Sequence, residues 1–398
     1  MGGKILGGLI AAVLCAASAT AQSLTPLPLQ PAGLAWPTAG WETGELPPES
    51  KAAVGALVDE AMGKRVSDVM GQTRGLVIIW RGRLVAEAYA EHFTPDTKQI
   101  SWSMAKSVTQ ALVGRAVRLG LIEDIDAPMP SPFKAGDKRR DITWRQWMQA
   151  IDGQDYHELD GDPDPTKSDV VQLMYGDGRF DAVAYSEKAF PLVHEPGTYW
   201  NYSTPAFHLI GWALQDQIET ARIVGTTMTR IDWSPGEREQ QTESWFRENF
   251  FAPLGMKATI EFDARGTYLG GSLVWASARD FAKFGYLYLR GGVWEGERLL
   301  PEGWVDFARA PGPASNTNVY GAGWWIIPPE GPLTHNQNAD SEPRDAFHAG
   351  GHEGQTIWVV PSRDLVIVRL GLMPNEGDNW PALYEWNQRV ARAFPPVD

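Results

Sequence analysis

Cysteine is almost missing from this chain of 398 residues: the only one is Cys15. It lies in the opening stretch MGGKILGGLIAAVLCAASATAQ, so disulfides, cysteine-ligated zinc and cysteine nucleophiles are excluded together for everything that follows. Long apolar runs are missing too. Residues 5–17 are too short for a spanning helix, and no later stretch reaches the about 18 consecutive apolar residues a membrane span needs. No G-x-S-x-G occurs, which removes the nucleophile elbow of one large hydrolase class. Positive charge is scarce: 35 Lys and Arg stand against 49 Asp and Glu, a net charge of −14. Such a surface repels phosphate backbones and acidic membranes, so nucleic acid is not an expected partner.

What is present begins with a leader. Lys4, the apolar run behind it, and small residues at Ala19 and Ala21 have the spacing of a cleaved secretory signal. Leu14 before Cys15 does not fit a lipoprotein processing site. The expectation is a signal over residues 1–21, cleaved after Ala21, and a periplasmic or secreted domain over residues 22–398 with no stable membrane span. A chain of this length buries a core large enough to fold without disulfide staples.

The Pro-rich stretch SLTPLPLQPAGLAWPTAG predicts an extended surface segment. Helical spacing follows in ESKAAVGALVDEAMGK, then two β-rich runs around an Arg-Gly-Arg turn in RGLVIIWRGRLVAEAYA, the pattern of an antiparallel hairpin. GQTIWVVPSRDLVIVRLG repeats that pattern, and NWPALYEWNQRVARAF returns to helical spacing at Trp380, Leu383, Tyr384, Val390 and Phe394. Residues 217–247 read as helix plus loop. This order predicts an α+β fold: an antiparallel sheet assembled from both chain ends, flanked by helices, with a mainly helical lobe from the middle, all in one domain of two lobes.

Three short stretches carry chemistry. In SWSMAKSVTQALVGRAVRLG, Ser103 and Lys106 are i and i+3 and share one helix face. A lysine on an apolar face loses hydration, which lowers its pKa, while a serine at a helix start gains from the positive end of the dipole; together they describe an activated nucleophile. The competing reading is a capping serine with a snorkelling lysine. In EPGTYWNYSTPAFHLIGWAL, Tyr202 precedes a helix, where its phenol beside a cationic lysine would reach the phenolate form and take the serine proton; the alternative is a half-buried, hydrogen-bonded phenol. In FHAGGHEGQTIWVVP, Gly350 and Gly351 let a substrate approach a strand edge and leave a main-chain N–H for an oxyanion, or else mark a bulge. His348 and His352 have i, i+4 spacing, but two glycines in a strand context argue against a metal-binding helix. Asp160, Asp162 and Asp164 precede Pro165 where a calcium loop needs glycine. No metal and no organic cofactor is expected.

With these stretches in this order, the sequence resembles the serine β-lactamase and penicillin-binding-protein superfamily. Within it, the class C-like branch, the β-lactamase-fold esterases and the 6-aminohexanoate-dimer hydrolases are the most similar, over about Gly75 to Leu370. GGSLVWASARDFAKFGYLYLRGGVWEGERLLPEGWV also resembles that branch. The first motif matches Ser103, Met104, Ala105 and Lys106. The Tyr-x-Asn motif matches Tyr202, Ser203 and Thr204, with threonine in place of asparagine. The third, Lys-Thr-Gly or His-Thr-Gly, matches Ala349, Gly350 and Gly351, or in another register His348, Ala349 and Gly350.

The resemblance implies a β-lactamase/transpeptidase-like fold with Ser103, Lys106 and Tyr202 catalytic, and the backbone N–H groups of Ser103 and His352 as oxyanion hole. Thr204, Gly350 and Gly351 are implied to bind substrate. Tyr156 falls where relatives carry a cleft-lining loop, and Trp325 in YGAGWWI is a candidate apolar wall. Loss of the cation at Ala349 removes the group that binds the carboxylate of β-lactams and peptidoglycan peptides. The expectation is therefore a hydrolase of small-molecule esters or amides working through an acyl-enzyme. The alternatives are a β-lactamase or D-alanyl-D-alanine carboxypeptidase, and a non-catalytic binding protein of the envelope.

Overall fold

A computed structural model describes residues 24–63, 70–159, 164–224, 233–314, 319–327, 343–374 and 379–397. The signal expected over residues 1–21 lies outside them, as do Asp160 and Asp162. No helix among the described residues is long and apolar enough to cross a membrane.

Helix α1 (Lys51–Met62) leads into strands β1 (Gln72–Trp80) and β2 (Arg83–Tyr89). Trp80 pairs with Arg83, leaving a two-residue turn in which Arg81 and Gly82 both have positive φ, 46° and 76°. That conformation lets a tight turn follow the right-handed strand twist, and glycine adopts it without a Cβ penalty. The central helix α2 (Met104–Arg118) follows, then α3 (Thr204–Ile223) and α4 (Ala278–Leu289). The chain returns to the sheet with β3 (Trp325–Ile326), β4 (Phe347–Gly351), β5 (Gln355–Val360) and β6 (Leu365–Leu372), and ends in α5 (Trp380–Arg392). The strands form one antiparallel sheet in the order β2-β1-β6-β5-β4-β3. The α+β architecture expected from the sequence is therefore observed, with both chain ends in one sheet.

The inner strands read as continuous apolar runs because both faces are covered. Leu76, Ile78, Trp358 and Ile367 pack with Val54 and Leu57 of α1 and Leu383, Trp386 and Val390 of α5. The alternate residues Val77, Ile357, Val359, Val366 and Val368 join the larger cluster with α2, α3 and α4. Every residue of α2 from Met104 to Ala116 is buried, so this helix runs through the middle of the molecule, between the sheet and the helical lobe. The Pro-rich segment forms no helix or strand over residues 24–40, and its Trp36 packs on Tyr286 of α4; just beyond it, Trp41 packs on the same ring and Thr43 bridges to Leu84 of β2.

Ile367, fully buried at the centre of the sheet, faces α1 and α5. Ile367→Ala should cost about 2–5 kcal/mol through lost burial plus the cavity left behind, read as a lower urea midpoint; an unchanged midpoint would contradict this packing.

Candidate active site

The turn that carries Ser103 is clamped before the helix begins. The Ser101 N–H donates to the Val274 carbonyl at 2.8 Å, and the Ser101 hydroxyl accepts from the Val274 N–H at 3.0 Å. Trp102 then takes φ 45°, a left-handed conformation rare for a bulky side chain, with its ring edge-on to His352 at 5.4 Å. Ser103 itself is helical and its side chain caps nothing. Its hydroxyl instead accepts a hydrogen bond from Lys106 Nζ at 3.0 Å. The capping reading is thereby set aside.

Lys106 is 1% exposed. Its Nζ also donates to Thr204 Oγ1 and to the Gly271 carbonyl, both at 2.9 Å. Thr204 is brought in by the start of α3, where Ser203 caps the helix by accepting from the Ala206 N–H. Gly271 approaches so closely that a Cβ there would lie 2.8 Å from the Thr204 carbonyl oxygen. Burial lowers Lys106 to about 8, against an opposing pull from the negative charge of Glu158.

Tyr202 lies next to this amine, its ring centre 4.7 Å from Nζ. Burial pushes its phenol well above the usual range, Glu158 and Tyr320 add to that, and a hydrogen bond with Ser103 opposes it. The resting group is thus a phenol rather than the phenolate expected beside a cationic lysine, because the burial that disfavours the ammonium disfavours the phenolate too. Its ring stacks on Trp325 at 5.1 Å and meets Tyr320 edge-on at 5.8 Å. Trp325 thus borders the site.

The edge of β4 closes the other side. A Cβ on Gly351 would fall 2.2 Å from the Ser101 carbonyl oxygen and 3.2 Å from Trp102 Cβ, so only glycine lets this strand end touch the serine turn. This contact brings the chain at His352 to the turn that carries Ser103. A Cβ on Gly350 would sit 3.3 Å from the Trp325 ring. His348 is turned to the opposite face, stacked on Trp358 at 4.9 Å with Nε2 2.8 Å from the Tyr384 hydroxyl, and burial lowers it to about 3. The histidine register of the third motif therefore puts no cation beside Ser103.

Thr204, 0% exposed, and Tyr156, 1% exposed, are buried. Their hydroxyls are committed to Glu158: Thr204 donates to its two carboxylate oxygens at 2.9 and 2.8 Å, and Tyr156 to one of them at 2.6 Å. Glu158 and Gly271 are the groups that sequence reasoning missed. Glu158 lies two residues past Tyr156 in IDGQDYHE, on a loop with no periodicity to mark it; Gly271 lies in GGSLVWASARD, where its carbonyl, not its side chain, does the work. A cavity of about 680 Å³ beside Trp41, Lys98, Phe251 and Lys283 contains none of these groups.

A half-buried serine bonded to a buried lysine at the start of a central helix, with a tyrosine and a sheet edge closing over it, defines an α+β protein of β-lactamase/transpeptidase-like fold. The chain belongs to the Beta-lactamase family, whose model matches residues 54–372. It is 23% identical to the 6-aminohexanoate-dimer hydrolase of Paenarthrobacter ureafaciens over 326 residues, 76% of this chain and 73% of that one. Among solved structures, a Bacillus anthracis protein provisionally named 6-aminohexanoate-dimer hydrolase superposes with a TM-score of 0.64 at 17% identity, covering 93% of this chain and 90% of that one. A family VIII carboxylesterase superposes at 0.57 with 16% identity, covering 87% and 99%. At identities of 17% and 16%, these superpositions establish the common fold alone.

Gly351→Ala must part the strand from the Ser101 carbonyl. The expected cost is about 1–3 kcal/mol of stability from overpacking, measured by urea unfolding; a variant as stable as the parent would contradict the contact.

Proposed function

We propose that this chain is an exported serine hydrolase that cleaves esters or small amides through an acyl-enzyme on Ser103. The observation that carries the reading is the Ser103 hydroxyl, free of any capping role and bonded to the buried Lys106 amine at 3.0 Å. Neutral Lys106 takes the serine proton as Oγ attacks the substrate carbonyl. The N–H groups of Ser103 and His352 hold the oxyanion. As the carbon–leaving-group bond breaks, the Tyr202 phenol gives the leaving group a proton and recovers one from Lys106. Water then attacks the acyl-enzyme, passing its proton back by the same route, and the acid leaves with Ser103 restored. Export rests on the leader with Lys4, Ala19 and Ala21.

The substrate class is supported by what stands around the serine. In the register that matches Ala349, Gly350 and Gly351, alanine stands at the position of the carboxylate-binding cation, and the aromatic rings of Trp325, Tyr202 and Tyr320 pack together on one side. An uncharged acyl group suits such surroundings better than a carboxylate does. The printed names of a dimer hydrolase and a carboxylesterase among the relatives agree with amide and ester chemistry.

Mature protein should release p-nitrophenol from short-chain acyl esters, and Ser103→Ala should abolish the release. Equal release by both proteins would overturn the assignment. Lys106→Ala should slow acylation by about 10²-fold or more, read as single-turnover ester cleavage. Because only the neutral amine accepts a proton, kcat/KM should rise with pH and level off above about 8; a profile flat from pH 6 to about 10 would remove Lys106 from this role.

A further inference from the structure

The three partners of Lys106 settle where its protons point. The Gly271 carbonyl can only accept. The Thr204 hydroxyl has one hydrogen, and with both Glu158 oxygens within 2.9 Å that hydrogen goes to the carboxylate, leaving the threonine oxygen as an acceptor as well. Tyr156, donating to the same carboxylate at 2.6 Å, holds it in place. A neutral amine has two N–H bonds and one lone pair. With both N–H bonds taken by Gly271 and Thr204, the lone pair is left on the Ser103 side, 3.0 Å from Oγ.

We propose that Glu158 is a positioning residue which, through the Thr204 hydroxyl, keeps the lone pair of Lys106 aimed at Ser103. This rests on the hydrolase reading above and adds a residue to it. Without the carboxylate, the Thr204 hydrogen is free to turn onto the amine, where it competes with the serine proton for the same lone pair. Glu158 also supplies the negative charge that Lys106 feels. The other titratable groups around the amine among the described residues are Tyr202, Tyr156 and His208. Burial keeps both phenols protonated and lowers His208 to about 3, its Nδ1 accepting from the Gly271 N–H and its Nε2 against Met174 Sδ. Removing the charge of Glu158 thus moves the lysine in one direction, toward a lower pKa.

The test compares kcat/KM for a p-nitrophenyl ester from about pH 6 to 10 in the parent, Ser103→Ala, Glu158→Gln, Glu158→Ala and Thr204→Ser, with thermal melting of each. Glu158→Gln keeps an acceptor for Thr204, so its plateau should stay within about threefold of the parent while the rising limb moves to lower pH. Glu158→Ala should lose about tenfold or more on the plateau, and Thr204→Ser, which keeps the hydroxyl, should lose less than Glu158→Ala. If Glu158→Ala does not fold, Thr204→Val, which removes the hydroxyl that Glu158 holds, decides instead: a parental plateau overturns the inference. Hydrolysis lost in Ser103→Ala but a parental profile in both Glu158 variants overturns the role of Glu158 alone. Hydrolysis retained in Ser103→Ala overturns the parent reading, and this inference with it.

Discussion

The structure turns on one buried amine. Placing Lys106 at 1% exposure costs several kcal/mol if it stays charged without partners, and the fold meets that cost with acceptors drawn from three separate parts of the chain. Ser103 comes from the same helix, Thr204 from the start of α3, and Gly271 from the loop before Val274. Each acceptor is brought in by a local device that makes sense only here: a serine that does not cap its helix, a neighbouring Ser203 that does, and a glycine with no room for a Cβ. The amine therefore ties the central helix to the helical lobe, and its burial gives it a neutral form within reach of physiological pH.

The sheet supplies the other half of the site. Because β4 ends in Gly350 and Gly351, its edge comes against the Ser101 carbonyl, and the chain passes the serine turn at His352. The strained Trp102 fits this picture: it occupies a left-handed conformation between two anchored neighbours and packs on His352, the kind of backbone strain that persists where surrounding structure over-determines it. Ser103, Lys106 and the strand edge are held by packing and clamped backbone. The local order of this region follows from the burial of α2 on all sides.

Much of this was legible in the sequence, for identifiable reasons. The hairpins announced themselves through apolar runs broken by Arg-Gly and Pro-Ser-Arg-Asp, and the terminal helices through their 3.6-residue period. Ser103 with Lys106 stood out because a lysine on an apolar helix face has no packing role. Tyr202 and the double glycine were visible beside turn and strand signals. What the sequence did not reveal depends on which loop meets which helix. Glu158 becomes part of the site only because a non-periodic loop folds back onto Thr204, and Gly271 only through its carbonyl. The same contact commits the hydroxyls of Thr204 and Tyr156 to the Glu158 carboxylate. The direction for Tyr202 was likewise beyond the sequence, since a neighbouring cation and burial push a phenol in opposite senses and only the structure says that burial prevails.

The most direct test of a lysine held near neutrality is its own titration. Protein labelled with 13C at lysine Cε, with the Lys106 signal assigned by its loss in Lys106→Arg, would be followed by NMR across the alkaline range. A midpoint near 8 is the predicted result. A midpoint near about 10.4, the value of a solvated lysine, would contradict the central claim, because the neutral amine that offers Ser103 a lone pair would then be more than about 100-fold scarcer at neutral pH.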